Sequence, residues 1–288
     1  MKVLIIGHQG QLGSDLQNQF ASQELILAGR DTLPVENSAT VAAFVEAHRP
    51  DLILNCSAFH RVDDCEEQVG PAFDVNVFGV RNLALAARRN GAILVHFSTD
   101  YVFDGPQRTP YSESDPICPK CIYGVSKASG EAMLQSIWQK HFIFRVSGLY
   151  GYKGSREKGT NFVETMIGLA RQGKPIRVVE DQVLTPTCTM DVASAVRHIV
   201  ASEGYGLYHL TNAGQCSWYE FTRAIFDFAG LSPELKPVPS AAFPTRAKRP
   251  NYSVLDNRRL RGYGFSEMPE WQDALQRYVA GRAAAGRI

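Results

Sequence analysis

The chain has 288 residues with 30 basic and 29 acidic side chains, so its formal net charge is +1. This length can bury a large core and accommodates a nucleotide-binding domain with a smaller attached domain. The balanced charge gives no indication of a nucleic acid or a membrane surface as a partner, and no segment approaches the roughly 20 apolar residues that cross a bilayer. Because Met1 leads directly into an apolar run with no signal peptide, we expect a cytoplasmic protein.

An apolar run, a glycine-rich turn and an amphipathic stretch open the chain. Residues 1–6 predict a buried parallel strand, and residues 12–20 predict a helix. Between them, Gly7, Gly10 and Gly13 allow a tight turn and a close approach of the backbone to a pyrophosphate, which the free N–H groups of the helix N-terminus bind. This Gly-x-x-Gly-x-x-Gly spacing is typical of short-chain dehydrogenases. It predicts a dinucleotide site that includes Gln11 and Leu12.

Strands and helices alternate through the rest of the first half. The pattern predicts strands at residues 24–28, 51–55, 92–97 and 142–146, and helices near 38–48, near 71–89 and from about Tyr123. Repeated β–α units of this length predict an α/β fold, a doubly wound parallel sheet (Rossmann-type) with helices on both faces. We expect the ligand at the carboxyl ends of the strands.

The regular alternation of predicted strands and helices ends after residue 149. Residues 151–159 predict a flexible loop, residues 161–171 predict a helix, and the proline-rich stretches beyond residue 235 are typical of a lid. A helix near 190–201 and a strand at 206–210 return to the first fold. We therefore expect a dinucleotide-binding domain at residues 1–149 and 186–212. A smaller, mostly C-terminal α/β substrate-binding domain is expected at 150–185 and 213–288.

Tyr123 and Lys127 are four residues apart and share one face of a predicted helix. A nearby ammonium lowers the pKa of a phenol toward the range in which it exchanges protons with an alcohol or carbonyl. Such pairs also occur on helix surfaces without a function. The glycine-rich opening upstream favours a proton-donor role for Tyr123, with Thr99 or Ser98 holding the same substrate oxygen.

The six cysteines are scattered, which favours reduced thiols over a disulfide framework. Cys118 and Cys121 have the Cys-x-x-Cys spacing of redox and zinc sites. However, no second pair or nearby histidine completes a tetrahedral set. We expect a structural or incidental role for this pair, and we assign no metal site.

These residues resemble the extended short-chain dehydrogenases, and among them the dTDP-4-dehydrorhamnose reductase family. The resemblance covers nearly the whole chain. Its most specific part is Ser-Thr-Asp-Tyr-Val-Phe-Asp-Gly at residues 98–105, where ordinary sugar-nucleotide epimerases usually read differently. Further matching positions are residues 7–13, 51–55, 62–63, 76, 96–97, 123–127, 144–147, 161–162, 181–182, 186–187, 206–210 and 249–250.

The resemblance implies a reductase that passes hydride from a nicotinamide to the 4-keto carbon of a nucleotide-diphosphate sugar, dTDP-4-dehydro-L-rhamnose. It implies that Tyr123 protonates the nascent alkoxide, that Lys127 lowers the Tyr123 pKa and holds the nicotinamide ribose, and that Thr99 polarises the carbonyl. Some relatives pair, so a homodimer is an open expectation. The other expected contacts are Ser57 and Ala58 on the cofactor, and Ser98, Asp100, Val102, Phe103, His60 and Asn161 on the substrate.

Two arginines are candidates for phosphate groups. Arg30 follows the second strand, where an acidic residue accepts the ribose hydroxyls of NAD and an arginine pairs with the 2′-phosphate of NADP. We expect NADPH as the cofactor, while the neighbouring Asp31 leaves NADH as an open alternative. The diphosphate of the substrate also needs a cation, for which Arg249 competes with Arg246 and Lys248.

Three segments depart from the family pattern. Gly148 stands where many relatives carry a tryptophan that faces the sugar, Leu184 stands where the substrate loop has a glycine, and residues 33–37 lack the usual aspartate contact to adenine. Three alternatives follow: a reductase of another nucleotide sugar, a 4-epimerase, or a non-catalytic regulatory subunit that keeps the dinucleotide site. Retention of Thr99, Tyr123 and Lys127 together favours an enzyme.

Overall fold

The first half of the chain alternates short apolar strands with helices, as the sequence predicts. The computed structural model describes residues 1–154 and 159–286. The predicted strands of this half agree with the structure to within two residues at each end. The elements in chain order are β1 (Lys2–Ile6), α1 (Gln11–Gln19), β2 (Glu24–Ala28), α2 (Ser38–His48), β3 (Leu52–Asn55), α3 (Val62–Cys65), α4 (Val69–Phe73), α5 (Val80–Asn90), β4 (Ile93–Thr99), α6 (Ile122–Ile137) and β5 (His141–Val146).

The second half has shorter strands and longer connections. Of the predicted flexible loop, residues 155–158 lie outside the described residues. The elements in chain order are β6 (Leu149–Tyr150), α7 (Phe162–Ala170), β7 (Ile176–Val179), β8 (Val183–Leu184), β9 (Thr187–Cys188), α8 (Thr189–Ile199), β10 (Gly206–His209), β11 (Cys216–Ser217), α9 (Trp218–Ala229), β12 (Leu235–Val238), α10 (Arg258–Gly262) and α11 (Trp271–Ala284).

Six strands form one parallel sheet in the order β10-β5-β4-β3-β1-β2, which confirms the predicted fold class. The strands β2 and β3 lie on opposite sides of β1, so the winding of the sheet reverses there. Parallel α/β sheets bind their ligands outside the carboxyl ends of the strands at such a reversal. Gly7, after β1, and Cys56, after β3, mark this point.

The central strands are apolar throughout because each of them faces two cores. Side chains alternate between the faces of a strand. Val3 and Ile5 of β1 therefore pack with α1 and α8 on one side. Leu4 and Ile6 pack with α2 and α5 on the other side. A strand covered on both faces has no polar side, which explains the uninterrupted apolar run at the start of the chain.

A third core lies in the second half of the chain. It joins side chains such as Tyr150, Val163, Phe221 and Tyr278 from β6, α7, α9 and α11. Apart from Cys188, its buried members come from residues 150–185 and 213–288. The helix α8 packs on α1 instead, and β10 extends the main sheet. This arrangement supports the expected division of the chain, whose limits stay a prediction.

The helix expected near residues 71–89 begins earlier and is irregular. A π-helical stretch, Asp74–Gly79, separates α4 from α5. The buried Asn76 lies in this stretch, and its amide bonds Phe59 O (3.0 Å), Phe59 N (2.9 Å) and Ser126 Oγ (3.0 Å). A Cβ on Gly130 of α6 would lie 2.2 Å from Asn76 O, so the two helices touch through their backbones.

Within residues 1–154 and 159–286, no helix combines the length and the apolar character that a bilayer crossing requires.

Candidate active site

A cleft of about 930 Å³ opens at the carboxyl ends of β1, β3 and β4. Residues from both halves of the chain line it, including Leu184, Trp218 and Ser253. The structure brings nearly all of the predicted site residues to this cleft. Those that line it are Gly7, Gly10, Gln11, Leu12, Gly13, Arg30, Ser57, Ala58, His60, Ser98, Thr99, Asp100, Tyr123, Lys127, Asn161 and Arg249.

Val102 and Phe103 lie beneath the cleft, which corrects the expectation that they contact the substrate. A short 3₁₀ turn over Asp100–Val102 directs the chain inward after β4. Both side chains are buried in a small core, where the Phe103 ring stacks on Tyr111 with centroids 4.2 Å apart. Their apolar character serves packing under the site.

The glycine-rich turn forms a cradle that other residues would fill. Gly7 has φ +76°, and a Cβ on Gly13 would lie 2.3 Å from Gly7 O. Helix α1 follows directly, and its N-cap residue, Gly10, supplies no side-chain cap. The first N–H groups of α1 therefore remain available to an anion at the helix N-terminus. The Gln11 side chain is held differently, since its Oε1 accepts a bond from Gly151 N at 3.0 Å.

Arg30 lies at the outer end of this cradle. Its side chain is 68 % exposed, and Nη2 is 3.5 Å from Glu36 Oε1. Leu33 and Val35, in the segment that lacks the usual aspartate, are buried and form an apolar wall of the cleft. The arrangement suits a flat aromatic group against this wall with an anionic group near Arg30.

Tyr123 lies in the first turn of α6, and Lys127 follows one turn later. Burial raises the pKa of Tyr123, and a hydrogen bond with Thr99 opposes this rise. The raised pKa differs from the lowering by Lys127 that the sequence led us to expect, and Lys127 Nζ instead contacts Phe97 O at 2.5 Å and His96 Nε2 at 3.2 Å. Burial in turn lowers the pKa of Lys127 to about 8. Tyr123 therefore rests as the protonated phenol, the form of a proton donor.

Asp100 anchors the hydroxyl of Thr99. Its Oδ1 accepts from Thr99 Oγ1 at 3.1 Å, while Oδ2 accepts from Ser147 Oγ at 2.9 Å and from Ser253 Oγ at 2.6 Å. Burial raises the pKa of Asp100 to about 6, although these three hydroxyl bonds lower it. Ser147 and Ser253 are contributions that the sequence did not reveal, since both are distant from Asp100 in the chain.

Ser98 contributes to the site from below, which corrects its expected role as a substrate contact. Neighbouring residues of a strand point to opposite faces, so Ser98 points away from Thr99. Its hydroxyl donates to Glu131, whose carboxylate forms a buried bidentate pair with Arg145 (2.9 and 2.7 Å). The hydroxyl proton of Ser98 is therefore already donated within the protein and is not available to a ligand.

Asn161 reaches the cleft wall, but its amide is fully engaged. Oδ1 caps α7 by accepting from Glu164 N at 3.0 Å. Nδ2 donates to Gly151 O at 2.8 Å and to the Tyr278 hydroxyl at 3.0 Å. Both amide protons are used in these bonds, so Asn161 holds the wall of the cleft in place instead of offering a donor to a substrate.

Arg249 lines the cleft while bound to an acidic partner. Nη2 is 2.7 Å from Asp63 Oδ2 and Nη1 is 3.2 Å from Oδ1. The hydrogen bond from Arg249 lowers the pKa of Asp63. A guanidinium has five N–H donors, so the pair leaves donors for a phosphate. Arg246, a competing candidate, pairs with Glu67 on the exposed surface.

Leu184 fills the place above Gly148. Gly148 has φ +53°, and a Cβ built on it would lie 2.8 Å from Leu184 Cδ1. A side chain at position 148 would therefore require the end of the Leu184 side chain to move. A different aromatic pair, Trp218 and Phe162, lines the cleft from the second half with ring centroids 4.5 Å apart. Two of the positions that depart from the family pattern therefore lie next to each other.

The cysteine pair next to the site is not a disulfide. Cys121 caps α6, since its Sγ accepts from Gly124 N at 3.5 Å, whereas Cys118 is exposed and lies 3.3 Å from Lys120 Nζ. A grouping of His, Cys, Asp and Glu suited to a metal ion is not found in the part of the chain that the structure describes.

Comparison with known proteins identifies relatives over the full length. The family model described as "RmlD substrate binding domain" matches residues 1–283. The spore coat polysaccharide biosynthesis protein SpsK of Bacillus subtilis is 39 % identical over 286 residues, covering 99 % of both chains. A dTDP-4-dehydrorhamnose reductase of Aggregatibacter actinomycetemcomitans is 38 % identical, covering 96 % of this chain and 97 % of its own.

A solved structure of the same family is also similar to this chain in three dimensions. The dTDP-4-dehydrorhamnose reductase of Bacillus anthracis, determined in complex with NADP, superposes with a TM-score of 0.93 at 37 % identity. The match covers 97 % of this chain and 99 % of that one. The likeness therefore extends over the sheet, the glycine cradle and the second half together.

Proposed function

Because this chain belongs to the dTDP-4-dehydrorhamnose reductase family, we propose that it reduces the 4-keto group of dTDP-4-dehydro-L-rhamnose to give dTDP-L-rhamnose. At the coarser level, the chain is an NAD(P)H-dependent oxidoreductase of a nucleotide-linked keto sugar. One observation carries the proposal: Thr99, Tyr123 and Lys127 line the same cleft as the glycine cradle.

NADPH is the proposed cofactor, and the residues present fit it. The Gly7–Gly13 cradle and the uncapped N-terminus of α1 suit a pyrophosphate, and Leu33 and Val35 offer an apolar wall for the adenine. Arg30 supplies a cation for a 2′-phosphate, while NADH stays an alternative. When bound, the cofactor supplies hydride.

The protein supplies the proton and the position. Tyr123, kept protonated by burial, donates its hydroxyl proton to the oxygen of the former keto group. Thr99 turns its hydroxyl from Asp100 to the same oxygen and so stabilises the negative charge that develops there. Lys127, fixed one turn from Tyr123, holds the ribose hydroxyls and, in its ammonium form, stabilises the tyrosinate left behind.

The second half supplies the substrate contacts in this proposal. Arg249 presents its remaining donors to the diphosphate. Trp218, Phe162 and Leu184 give an apolar surface for the base and the sugar ring. Because Gly148 replaces the family's sugar-facing aromatic and Leu184 replaces the loop glycine, another dTDP-linked 4-keto sugar is the second candidate substrate. A homodimer remains an expectation that analytical ultracentrifugation would test.

The decisive experiment follows NADPH absorbance on addition of dTDP-4-dehydro-L-rhamnose, with NADH in parallel. Sugar-dependent oxidation is the expected result. Tyr123→Phe should keep NADPH affinity and lower turnover by roughly 10²- to 10⁴-fold, because the general acid is lost. If NADPH binds but no oxidation occurs, the proposal fails for this sugar. Other 4-keto sugars would then be tried, and a uniform lack of turnover would favour the regulatory subunit.

A retained, non-exchanging oxidised cofactor would contradict the reductase in a different way. An epimerase must return its hydride to the same sugar, so it keeps the oxidised cofactor bound. Nuclear magnetic resonance (NMR) of the product would then show two epimers in exchange without net consumption of NADPH.

A further inference from the structure

A buried chain of hydrogen bonds leads from the cleft wall to Lys127. Ser57 donates to Asn55 Oδ1 through both its backbone N (3.1 Å) and its Oγ (2.5 Å). Asn55 Nδ2 is 3.2 Å from His96 Nδ1, and His96 Nε2 is 3.2 Å from Lys127 Nζ. Asn55, His96 and Lys127 are each at most 1 % exposed. Water therefore does not compete for these contacts.

The backbone N–H group of Ser57 determines which ring nitrogen of His96 carries the proton. A backbone N–H can only donate, so the Asn55 atom that it reaches must be the carbonyl oxygen Oδ1. The amide nitrogen Nδ2 then faces His96 Nδ1 as a donor, and Nδ1 must accept. A neutral imidazole carries one proton, so His96 carries it on Nε2. This assignment follows from donor and acceptor chemistry alone.

The Nε2 proton of His96 points at Lys127. An ammonium has three donors and no acceptor, so a neighbouring N–H opposes it, whereas an amine accepts that N–H through its lone pair. Phe97 O, at 2.5 Å, takes one of the Lys127 protons. Two fixed partners on β4 thus determine where Nζ lies, and one of them favours the amine.

We propose that His96 is a positioning residue for Lys127, which it holds beside Phe97 and biases from ammonium toward amine through the Nε2 proton that Asn55 fixes. What Lys127 does in turnover rests on the proposed function. The arrangement itself does not depend on which sugar is reduced. Burial lowers the pKa of Lys127 to about 8, and the Nε2 proton of His96 acts in the same direction.

The other charged and titratable groups around Lys127 do not account for this bias. Glu131, on the same helix, and Cys56, after β3, both raise the pKa of Lys127, while burial lowers it. Glu131 is already paired with Arg145. For His96, burial lowers its pKa and Lys127 lowers it further, so the imidazole stays neutral and keeps a single proton. Tyr123, one turn earlier on α6, is an uncharged phenol.

The first test reads the His96 tautomer directly. ¹⁵N-histidine NMR distinguishes Nε2–H from Nδ1–H, and the spectrum of His96→Gln identifies the His96 signals among the seven histidines. The expected result is an Nε2–H imidazole with an accepting Nδ1. An Nδ1–H tautomer in the wild-type protein would overturn the inference. The measurement needs no substrate, so its outcome is separate from that of the proposed function.

The second test reverses the tautomer with a nearly isosteric change. In Asn55→Asp, a carboxylate accepts from both Ser57 N and His96 Nδ1–H, so Nε2 becomes an acceptor for the Lys127 ammonium. The NMR signals should switch to Nδ1–H, and the alkaline limb of the kcat/KM profile should move up by about one pH unit. The added charge alone could move the profile. An unchanged tautomer would therefore overturn the inference whatever the profile does.

The third test compares two amides at position 96. His96→Asn leaves a polar group near Asn55 but none near Lys127, and kcat should fall about 10- to 100-fold with little change in KM. His96→Gln reaches Lys127 with an acceptor, so it should retain more activity and shift the alkaline limb upward. Melting temperatures verify that both variants fold. Two folded variants with the kcat and pH profile of the wild type would refute the positioning role.

Discussion

Lys127 is a buried cation that contacts a carbonyl and an imidazole. Burial lowers its pKa from 10.5 to about 8. Between these two pH values the unfolded chain holds a proton that the folded protein has released, so the free energy of unfolding rises with pH across this window. Below about pH 8 the folded protein carries the full cost of the buried ammonium, roughly 3 kcal/mol at about 1.4 kcal/mol per pH unit.

Lys127→Met should therefore stabilise the protein while it abolishes turnover. We expect the free energy of unfolding at pH 7 to increase by about 1 to 3 kcal/mol, because methionine has a similar shape and no charge to bury. The rise in stability between pH 8 and 10.5 should disappear in the variant. Urea unfolding at several pH values measures both effects. A variant that keeps the rise would show that another group causes it.

Arg30 and Glu36 form a matched pair for testing cofactor choice. Arg30→Ala should raise the Kd of NADPH roughly tenfold or more and change that of NADH little, because only NADPH carries the 2′-phosphate. Glu36→Gln is the control that should change the Kd of NADPH in the opposite direction. It removes the carboxylate 3.5 Å from Arg30 and should tighten NADPH. Fluorescence titration measures all four affinities, and equal losses for both cofactors in Arg30→Ala would remove Arg30 from this role.

At the level of single residues, sequence patterns locate functional side chains better than they assign their bonds. Thr99, Tyr123 and Lys127 were predicted because spacing on a helix or strand is a local property. The engagement of Ser98 with Glu131, and of Asn161 with Tyr278, depends on partners far away in the chain. His96 belongs to the segment that matches the family, but its contact with Lys127 was not predictable for the same reason.

Among the secondary-structure elements, the loop at Gly148 and the strand β8 depend on each other. Gly148→Ala should lower the free energy of unfolding by about 1 to 3 kcal/mol, since the left-handed φ is strained for alanine and its Cβ meets Leu184. Adding Leu184→Ala should recover the part due to the clash and leave the part due to φ. A double-mutant cycle by urea unfolding separates the two, and strict additivity would contradict the contact.

The strands of the main sheet were predictable because a strand that is covered on both faces consists of a continuous apolar run, as in residues 2–6. The π-helical stretch Asp74–Gly79 was not predictable from the sequence. Its buried Asn76 bonds with Phe59 and Ser126, and such contacts leave no periodic pattern in the sequence. The short strands β8, β9 and β11 have two residues each, which is too short for any alternation to be recognised.

Across the whole molecule, hydrogen bonds from the second half close around the cleft. Arg249 binds Asp63, and Ser253 binds Asp100. Arg249→Ala should raise KM for the sugar nucleotide about tenfold with a smaller effect on kcat, because the diphosphate loses a charged partner. Steady-state kinetics measures the split. Arg246→Ala is the matched control, and its exposed pair with Glu67 should leave KM unchanged.

Asp63→Asn separates two ways in which Arg249 could act. If Arg249 binds the diphosphate, weakening its internal partner should leave KM unchanged or lower it. If Arg249 only ties the C-terminal segment to the first half, Asp63→Asn should raise KM as much as Arg249→Ala does. The second outcome would withdraw the phosphate contact and keep the structural one.

The exposure of the cysteines provides a natural site for covalent labelling of the protein. All six cysteines lie in the described residues, and Cys118 is the exposed one. Burial raises the pKa of Cys56, Cys65 and Cys188 to about 12, so these thiols react slowly. A maleimide dye should therefore attach at Cys118, close in sequence to the helix that carries Tyr123. Its fluorescence would report ligand-induced movement at the cleft without any engineered cysteine.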